Sequence, residues 1–232
     1  MAMNGHLRPA PYIGGEPYDL TVCYASRGRV WVQVEVGGKS AHAASGAGVN
    51  AILGAARIIH AVYALPRETH PVLGRDTVNV GTIHGGVQTN TVPDRCELVF
   101  DIRFAPPRTV ARVAALVQDA VAGEAGRSGT VVRRLAFPER REPIEFPADG
   151  GLVRALQEAG WAALGRELPL GGAVSFGDIA DWKDRVGIEE ACLFGPGETA
   201  QAHAADEHVA LADVVAAARV YALAALRCAR MG

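Results

Sequence analysis

Val30-Trp-Val-Gln-Val-Glu-Val36 decides the fold, because its alternation of apolar and polar residues is typical of a strand with one buried face. Two glycines and a polar loop, 39–48, follow it. Apolar residues then recur three or four positions apart over 49–63, which predicts an amphipathic helix that ends before Pro66.

Three further strands and a second helix are predicted after this helix. Two more strands are predicted at 77–83 and 96–104. The pair Pro106-Pro107 opens a second helix, since proline is tolerated in a first helical turn, and 130–137 gives a final strand. The order β-α-β-β-α-β over residues 29–138 predicts a ferredoxin-like α+β sandwich. Its four-stranded sheet leaves an edge that a second copy would cover, which predicts a homodimer.

The flanking segments carry weaker patterns. The sequence predicts a loop over 1–19, a short strand over 20–25 and a linker over 137–149. Beyond the linker we expect a helix, a glycine-rich turn, a strand and a closing helix, at 151–164, 171–178, 190–194 and 209–230. These pieces hold too few strands for a sheet of their own, so we expect half of an α/β domain, with domains divided at 1–28, 29–138 and 139–232.

Composition and charge argue against several kinds of partner and cellular compartment. The net charge of -2 over 232 residues gives no reason to expect nucleic acid or an anionic membrane. No apolar run reaches membrane-spanning length, and the N-terminal residues lack the apolar core of a signal peptide. The 4 cysteines form no CxxC pair, which argues against a zinc ribbon or redox dithiol. Cys96 and Cys192 lie in apolar runs and are interpreted as small buried core residues, which favours a reducing compartment. We therefore expect a cytoplasmic protein.

One histidine has the surroundings of a metal ligand. In Phe194-Gly-Pro-Gly-Glu-Thr-Ala-Gln-Ala-His-Ala-Ala-Asp-Glu-His208, a turn after an apolar strand leads to His203, with Asp206 and Glu207 just beyond it. Nearby carboxylates orient a ligating imidazole in many metal sites. A capping or core histidine is the plainer interpretation, and one histidine alone cannot hold a metal.

Five motifs in this order resemble the co-catalytic zinc hydrolases. They are the 194–208 stretch, Gly14-Gly-Glu-Pro17, Gly38-Lys-Ser-Ala-His-Ala43, Gly85-Gly-Val-Gln-Thr-Asn-Thr-Val-Pro-Asp94 and Asp101-Ile-Arg103. The chain is similar to metallopeptidase family twenty, the group of acetylornithine deacetylase, succinyl-diaminopimelate desuccinylase, aminoacylase and carboxypeptidase. The resemblance runs from Gly14 to the C-terminus. It implies a ferredoxin-like dimerisation (lid) domain inserted in a partial zinc-peptidase-like α/β catalytic domain.

The resemblance also implies an activity and a cofactor. It implies a metal-dependent hydrolase of amide bonds in N-acyl amino acids or small peptides, acting as a homodimer. Two zinc ions are implied, with cobalt or manganese as alternatives, because paired metals polarise the scissile carbonyl and generate hydroxide. His203 and Glu16 match family metal ligands.

The matching positions imply further roles. His42 would stabilise the oxyanion in the neighbouring subunit's active site. Asn90 would bind substrate from that same neighbouring subunit, while Arg103 would grip a substrate carboxylate and Ser175, with Asp178, would line the cleft.

Each of these residues also has a plainer interpretation. Glu16 fits a solvated loop carboxylate, His42 a loop histidine, Asn90 a turn residue and Arg103 an edge charge. Phe176 departs from the family pattern, which leaves Ser175 and Asp178 divided between substrate contact and a structural turn. The pair Glu189-Glu190 mimics the family's base-plus-ligand pair but lies on the wrong side of the insertion, so we interpret it as a strand entry without catalytic function.

Several family residues have no counterpart in this sequence. The His-x-Asp motif, the bridging aspartate and the catalytic glutamate pair belong before Glu16, where only 15 residues stand. The chain is then a fragment, one half of a split enzyme, or a non-catalytic remnant. Besides the hydrolase, an inactive dimerisation or binding module and a small-molecule sensor stay open, because a fold alone does not fix a function.

Overall fold

The structure, a computed structural model, describes residues 11–174, 179–180, 183, 187–202 and 204–229. These residues form two compact units. The split unit comprises the described residues of Met1–Arg27, Pro71–Leu73 and Pro143–Gly232. The sandwich unit comprises Gly28–His70 and Gly74–Glu142.

Eleven strands and four long helices are assigned in the described residues. In chain order they are β1 (Tyr12–Gly14), β2 (Val22–Ser26), β3 (Gly28–Gly37), α1 (Ala51–Tyr63), β4 (Thr69–His70), β5 (Gly74–Arg75), β6 (Thr77–Gly85), β7 (Arg95–Phe104), α2 (Val110–Ser128), β8 (Val131–Arg141), β9 (Ile144–Glu145), α3 (Gly151–Leu164), β10 (Leu170–Ala173), β11 (Ala191–Leu193) and α4 (Leu211–Cys228). No helix among them is long and apolar enough to cross a membrane.

The sandwich unit confirms the predicted ferredoxin-like fold. Its sheet has the order β6-β7-β3-β8, with antiparallel neighbours throughout. Alternate residues of β3 and β7, such as Val32 and Phe100, are buried in one cluster with residues of α1 and α2, such as Val117, and each of these three is 0% exposed. The alternation that predicted the strand therefore also supplies the core that holds the two helices on the sheet.

The second helix begins later than the sequence predicted. Pro106 and Pro107 lie before α2, which starts at Val110. Thr109 is extended (φ -118°, ψ 159°) and its hydroxyl accepts a hydrogen bond from the amide of Arg112 at 3.2 Å. A threonine that caps an otherwise unpaired amide fixes the helix start at that point.

The split unit has one sheet, built from strands that come before and after the sandwich unit in the sequence. Five strands join in the order β1-β11-β2-β10, with β9 pairing β2. Residues 12–14 and 170–173, expected to be loop and turn, are strands, and β9 lies inside the expected linker. The glycines of β10 hide the usual sequence pattern of a strand, because they are present to let the side chain of Leu73 pack closely on the backbone. A Cβ on Gly172 would lie 2.5 Å from Leu73 Cδ2.

Two apolar clusters hold this sheet. One packs α3 and α4 on strand residues and contains Val22, Leu156, Phe194 and Val220, each 0% exposed. The other surrounds Cys23, Phe146, Ala173 and Leu193. The sheet therefore supports α3 and α4 through the first cluster and has a second apolar cluster of its own.

Candidate functional site

Glu16 lies exposed in the loop that leaves β1, directly beside the segment that leaves β11. The two strands are parallel neighbours, so their carboxyl ends meet at one edge of the sheet. The amide of Phe194 donates to Gly14 O at 3.0 Å, and that of Leu20 donates to Gly195 O at 2.9 Å. A Cβ on Gly195 would lie 3.1 Å from both C and N of Glu16 and closer still to its carbonyl oxygen. Only glycine lets the two segments pack this closely.

A second set of contacts fixes the same loop. Asp19 and Leu20 have positive φ angles of 52° and 57°. Non-glycine residues occupy this region at an energetic cost that the surroundings must offset. The amide of Asp19 donates to Gly197 O at 2.9 Å, and Thr199 Oγ1 donates to Pro17 O at 2.7 Å. The loop of Glu16 is thus tied to the stretch that precedes position 203.

Tyr221 of α4 anchors the start of that stretch, and sequence reasoning gave it no function. Its hydroxyl donates to Phe194 O, and the two rings meet edge-on with centroids 5.4 Å apart. Burial raises the pKa of Tyr221, so the phenol keeps its proton and stays a donor. A tyrosine in an alanine-rich helix gives no sequence signal for such a contact.

Three residues singled out by the sequence lie outside the described residues: Ser175, Asp178 and His203. Over the residues that the structure does describe, no group of three or more His, Cys, Asp and Glu side chains is arranged to hold a metal. Glu16 is the one proposed ligand that can be placed. The described part of the chain does not by itself fit a two-metal site.

His42 occupies a well-defined position in the sandwich unit. It is exposed and caps a short 3₁₀ turn, Ala43–Ser45, where its Nδ1 accepts a hydrogen bond from the amide of Ala44 at 3.2 Å. A neutral imidazole that accepts at Nδ1 carries its hydrogen on Nε2. The Nε2 hydrogen is then available as a donor to another molecule.

Asn90 is brought beside His42 by backbone pairing. The amide of Ala43 donates to Asn90 O and that of Val92 donates to Ala41 O, both at 2.8 Å. His42 and Thr91 consequently form an isolated antiparallel bridge. Two loops that are distant in sequence form one exposed edge that carries both predicted side chains.

Arg103 lies apart from that edge, on the open face of the sandwich sheet. Its Nε and Nη2 donate to the two carboxylate oxygens of Asp101 at 2.6 and 2.8 Å. Burial would raise the pKa of Asp101, but hydrogen bonds from Arg103 and Trp31 and the charges of Arg103 and Arg29 together hold it below its ordinary value. The guanidinium fork of Arg103 is therefore positioned by an aspartate for which the sequence predicted no function.

Glu190 has a structural function. Its Oε1 and Oε2 accept hydrogen bonds from the amides of Gly151 and Leu152 at 2.6 and 2.8 Å, at the start of α3. A carboxylate is well suited to unpaired amides at a helix N-terminus. This contact accounts for the position of Glu190 without any catalytic function.

Comparisons with known proteins agree with the fold. Residues 24–128 match the family described as a peptidase dimerisation domain. The acetylornithine deacetylase of Myxococcus xanthus is 33% identical over 227 residues, which cover 91% of this chain and 56% of that protein. The acetylornithine deacetylase of Erwinia tasmaniensis is 32% identical and is matched over 88% of this chain and 53% of its own length.

Solved structures share the same architecture. An aminopeptidase PepT from Bacillus cereus superposes with a TM-score of 0.78 at 18% identity, over 95% of this chain and 57% of that one. The dipeptidase Dug1p from Saccharomyces cerevisiae gives 0.73 at 12% identity, over 95% and 59%. In each comparison the chain spans little more than half the length of its relative.

Proposed function

We propose, since this chain belongs to metallopeptidase family twenty, that it supplies the lid and the second half of the catalytic domain of a hydrolase. The bonds cleaved would be amide bonds of N-acyl amino acids or small peptides. In this proposal residues 29–138 form the lid, and 1–28 and 139–232 belong to the catalytic domain.

The observation that carries the proposal is the length of the match to the Myxococcus xanthus deacetylase. It covers 91% of this chain at 33% identity and so extends over both units. A shared sandwich fold alone would say little about function. A match that also covers the split unit favours a common reaction class for the longer protein.

His42 would act as a hydrogen-bond donor to the oxygen that becomes negative during amide cleavage. A fixed donor aimed at a developing oxyanion accelerates acyl transfer, and removing one typically costs ~100- to 1000-fold in rate. The bond from Ala44 N to Nδ1 supports this role because it leaves the hydrogen on Nε2. The family resemblance assigns this donor to the active site of the neighbouring subunit.

Asn90 and Arg103 would bind the substrate. Asn90 shares an exposed edge with His42, so its amide can contact the same bound molecule. Arg103 would grip a substrate carboxylate, and Asp101 would hold its guanidinium in a fixed orientation. Ser175 is proposed on the family resemblance alone.

Metal dependence is proposed from family membership. Glu16 and His203 would each bind one of two zinc ions, with cobalt or manganese as alternatives, and the remaining donors would lie outside the residues described. When bound, such ions polarise a carbonyl and lower the pKa of water. The hydrogen bonds that hold the Glu16 loop against Gly195 and Gly197 would keep its carboxylate in place.

A homodimer is proposed through the sandwich unit. β6 pairs with β7 on one side, and its other edge has no partner strand among the described residues. The last part of this strand is exposed, with Ile83 46% accessible and Val87, just beyond it, 90% accessible. An exposed strand edge with apolar side chains is a surface that a second copy would cover.

The test is hydrolysis by the 232-residue chain mixed with the part of the Myxococcus xanthus relative that lies outside the match, made as a separate protein. Amine release would be followed with N-acetylornithine, other N-acetyl amino acids and di- and tripeptides, with and without added zinc. His42→Asn should lower the rate ~100-fold or more. His60→Asn, at an exposed helical position, is the matched control and should change it less than about twofold.

Two results would overturn this function. One is the absence of amide hydrolysis with every substrate and metal although the two proteins form a complex. The other is an equal effect of His42→Asn and His60→Asn on the hydrolysis rate. That result would show that His42 takes no part in the reaction, and it would favour a non-catalytic dimerisation module.

A further inference from the structure

Trp31 lies on the open face of the sandwich sheet, close to Arg103. In the register of β3 and β7, Trp31 lies opposite Asp101, and the neighbouring pair on the same face is Arg29 and Arg103. Trp31 and Arg103 are therefore diagonal neighbours, with Cα atoms about 7–8 Å apart. An amino acid carries its carboxylate and its side chain on one carbon. If the carboxylate binds Arg103, the side chain comes to lie near the ring of Trp31.

The indole ring of Trp31 is held in place and is still accessible. Its N–H, the one polar group of this side chain, donates a hydrogen bond to the carboxylate of Asp101. The guanidinium of Arg29 lies over the ring, 4.8 Å from its centroid. The residue nevertheless stays 39% exposed. A ring whose orientation is fixed before a ligand arrives loses little conformational entropy on binding.

The surface beyond Trp31, on the side away from Arg103, is uncharged in its next row. Gln33 of β3 lies there between Val99 of β7 and Ala136 of β8. Gln33 and Val99 also line a depression of about 270 Å³. An aromatic side chain stacked on Trp31 can extend over these residues without burying a charge.

The charges on this face favour a carboxylate and disfavour a second amine. Arg103, Arg29 and Arg141 lie side by side across β7, β3 and β8. Asp101 lies 2.6 Å from Arg103. Glu139 lies 3.2 Å from Arg29 and 3.3 Å from Arg141. Three arginines less two carboxylates leave a net charge of +1 on these five side chains, which repels the side-chain ammonium of N-acetylornithine.

We propose that Trp31 forms the side-chain subsite of the hydrolase, and that the enzyme prefers N-acyl amino acids with an aromatic side chain over N-acetylornithine. The substrate carboxylate binds Arg103, and the substrate ring stacks on Trp31. The subsite rests on the proposed function for its carboxylate contact, and it adds the class of side chain that the enzyme selects.

The first experiment measures binding to the 232-residue chain alone and needs no hydrolysis. N-acetyl-L-phenylalanine, N-acetyl-L-alanine and N-acetyl-L-ornithine are titrated separately by calorimetry. We expect the phenylalanine derivative to bind about threefold or more tightly than the other two. Trp31→Ala should weaken its binding about threefold to tenfold, because an aromatic pair is lost, and should change the binding of N-acetylalanine less than about twofold.

Trp161→Ala is the matched control. It removes the same side chain from α3, where Trp161 is 63% exposed, and should change each affinity less than about twofold. Trp31→Phe keeps an aromatic ring without the indole N–H and should retain most of the preference for N-acetylphenylalanine. Circular dichroism of all three variants checks that the chain still folds.

The second experiment measures hydrolysis by the chain mixed with the remaining part of the Myxococcus xanthus relative. Trp31→Ala should lower kcat/KM for N-acetylphenylalanine about threefold to tenfold, mainly by raising KM, and leave that for N-acetylalanine within about twofold. Selective binding without any amide cleavage would refute the proposed function and support the subsite. Cleavage without selectivity for the aromatic substrate would refute the subsite alone.

Three binding results would overturn the subsite. One is equal or undetectable binding of the three ligands. Another is an equal loss of affinity for N-acetylphenylalanine and N-acetylalanine in Trp31→Ala, which would make Trp31 only a structural support of Arg103. The third is tighter binding of N-benzoyl-L-alanine than of N-acetylalanine that Trp31→Ala abolishes, which would place the acyl group on Trp31.

Discussion

Gly195→Ala tests the packing of the Glu16 loop most directly. An alanine Cβ at this position would lie 3.1 Å from Glu16 C and N, and closer to the Glu16 carbonyl oxygen. Carbon and oxygen ordinarily stay about 3.3 Å or more apart. Since the obstructing atoms are backbone, either the Glu16 loop or the segment after β11 must move.

The expected cost has two parts. Forcing a methyl group into a packed position costs typically about 1–3 kcal/mol. The shift also weakens the 2.9 Å hydrogen bond from Leu20 N to Gly195 O, which is worth about 0.5–1.5 kcal/mol. We therefore expect the free energy of unfolding to fall by about 2–4 kcal/mol.

Urea denaturation and hydrogen exchange provide the measurements. The midpoint of unfolding should fall, and the amides of Asp19 and Leu20 should exchange faster, because both donate to the displaced segment. Gly15→Ala is the control beside Glu16, since its Cβ would meet Tyr221 Oη at an ordinary 3.6 Å. It should change stability by less than about 0.5 kcal/mol.

Equal stabilities for Gly195→Ala and Gly15→Ala would refute this reasoning. So would unchanged exchange at Asp19 and Leu20. Either result would mean that the loop of Glu16 is not held by close contact with Gly195.

Three further predictions concern stability and reactivity. Asp76→Ala should lower the free energy of unfolding, measured with urea, by about 3–5 kcal/mol, because it leaves the largely buried guanidinium of Arg108 without the carboxylate of Asp76. Adding Arg108→Met should restore part of the lost stability. Burial would raise the pKa of Asp101, but Arg103 and its neighbours hold it low, so the Asp101 carboxylate stabilises the fold above its unfolded pKa of about 4, and this contribution is lost as pH falls. Asp101→Asn should therefore flatten the decline in melting temperature at acidic pH. An unaltered profile would contradict this prediction. Burial raises the pKa of Cys192 to about 12, so thiol reagents at pH ~8 should label it only after unfolding, and rapid labelling of the native chain would contradict its burial.

Local patterns predicted most of the sandwich unit. The alternation at 30–36 and the helical spacing at 49–63 correspond to β3 and α1, because burial of one face leaves a direct mark on a sequence. The start of α2 was wrong by a few residues, since the cap at Thr109 outweighs the preference of proline for a first turn. The strands at 12–14 and 170–173 were missed because short or glycine-rich strands owe their conformation to pairing partners distant in sequence.

The sequence by itself determined the ferredoxin-like sandwich and the family, because periodicity and short motifs are local properties, and it singled out His42 and Asn90 as candidate site residues. Only the tertiary structure decided that Gly195 packs on Glu16, that Asp101 orients Arg103, and that α4 is buried on one apolar face and exposed on the other. An apolar residue carries the same letter whether its neighbour is water or a protein core. Contacts between distant segments determine which of these it meets.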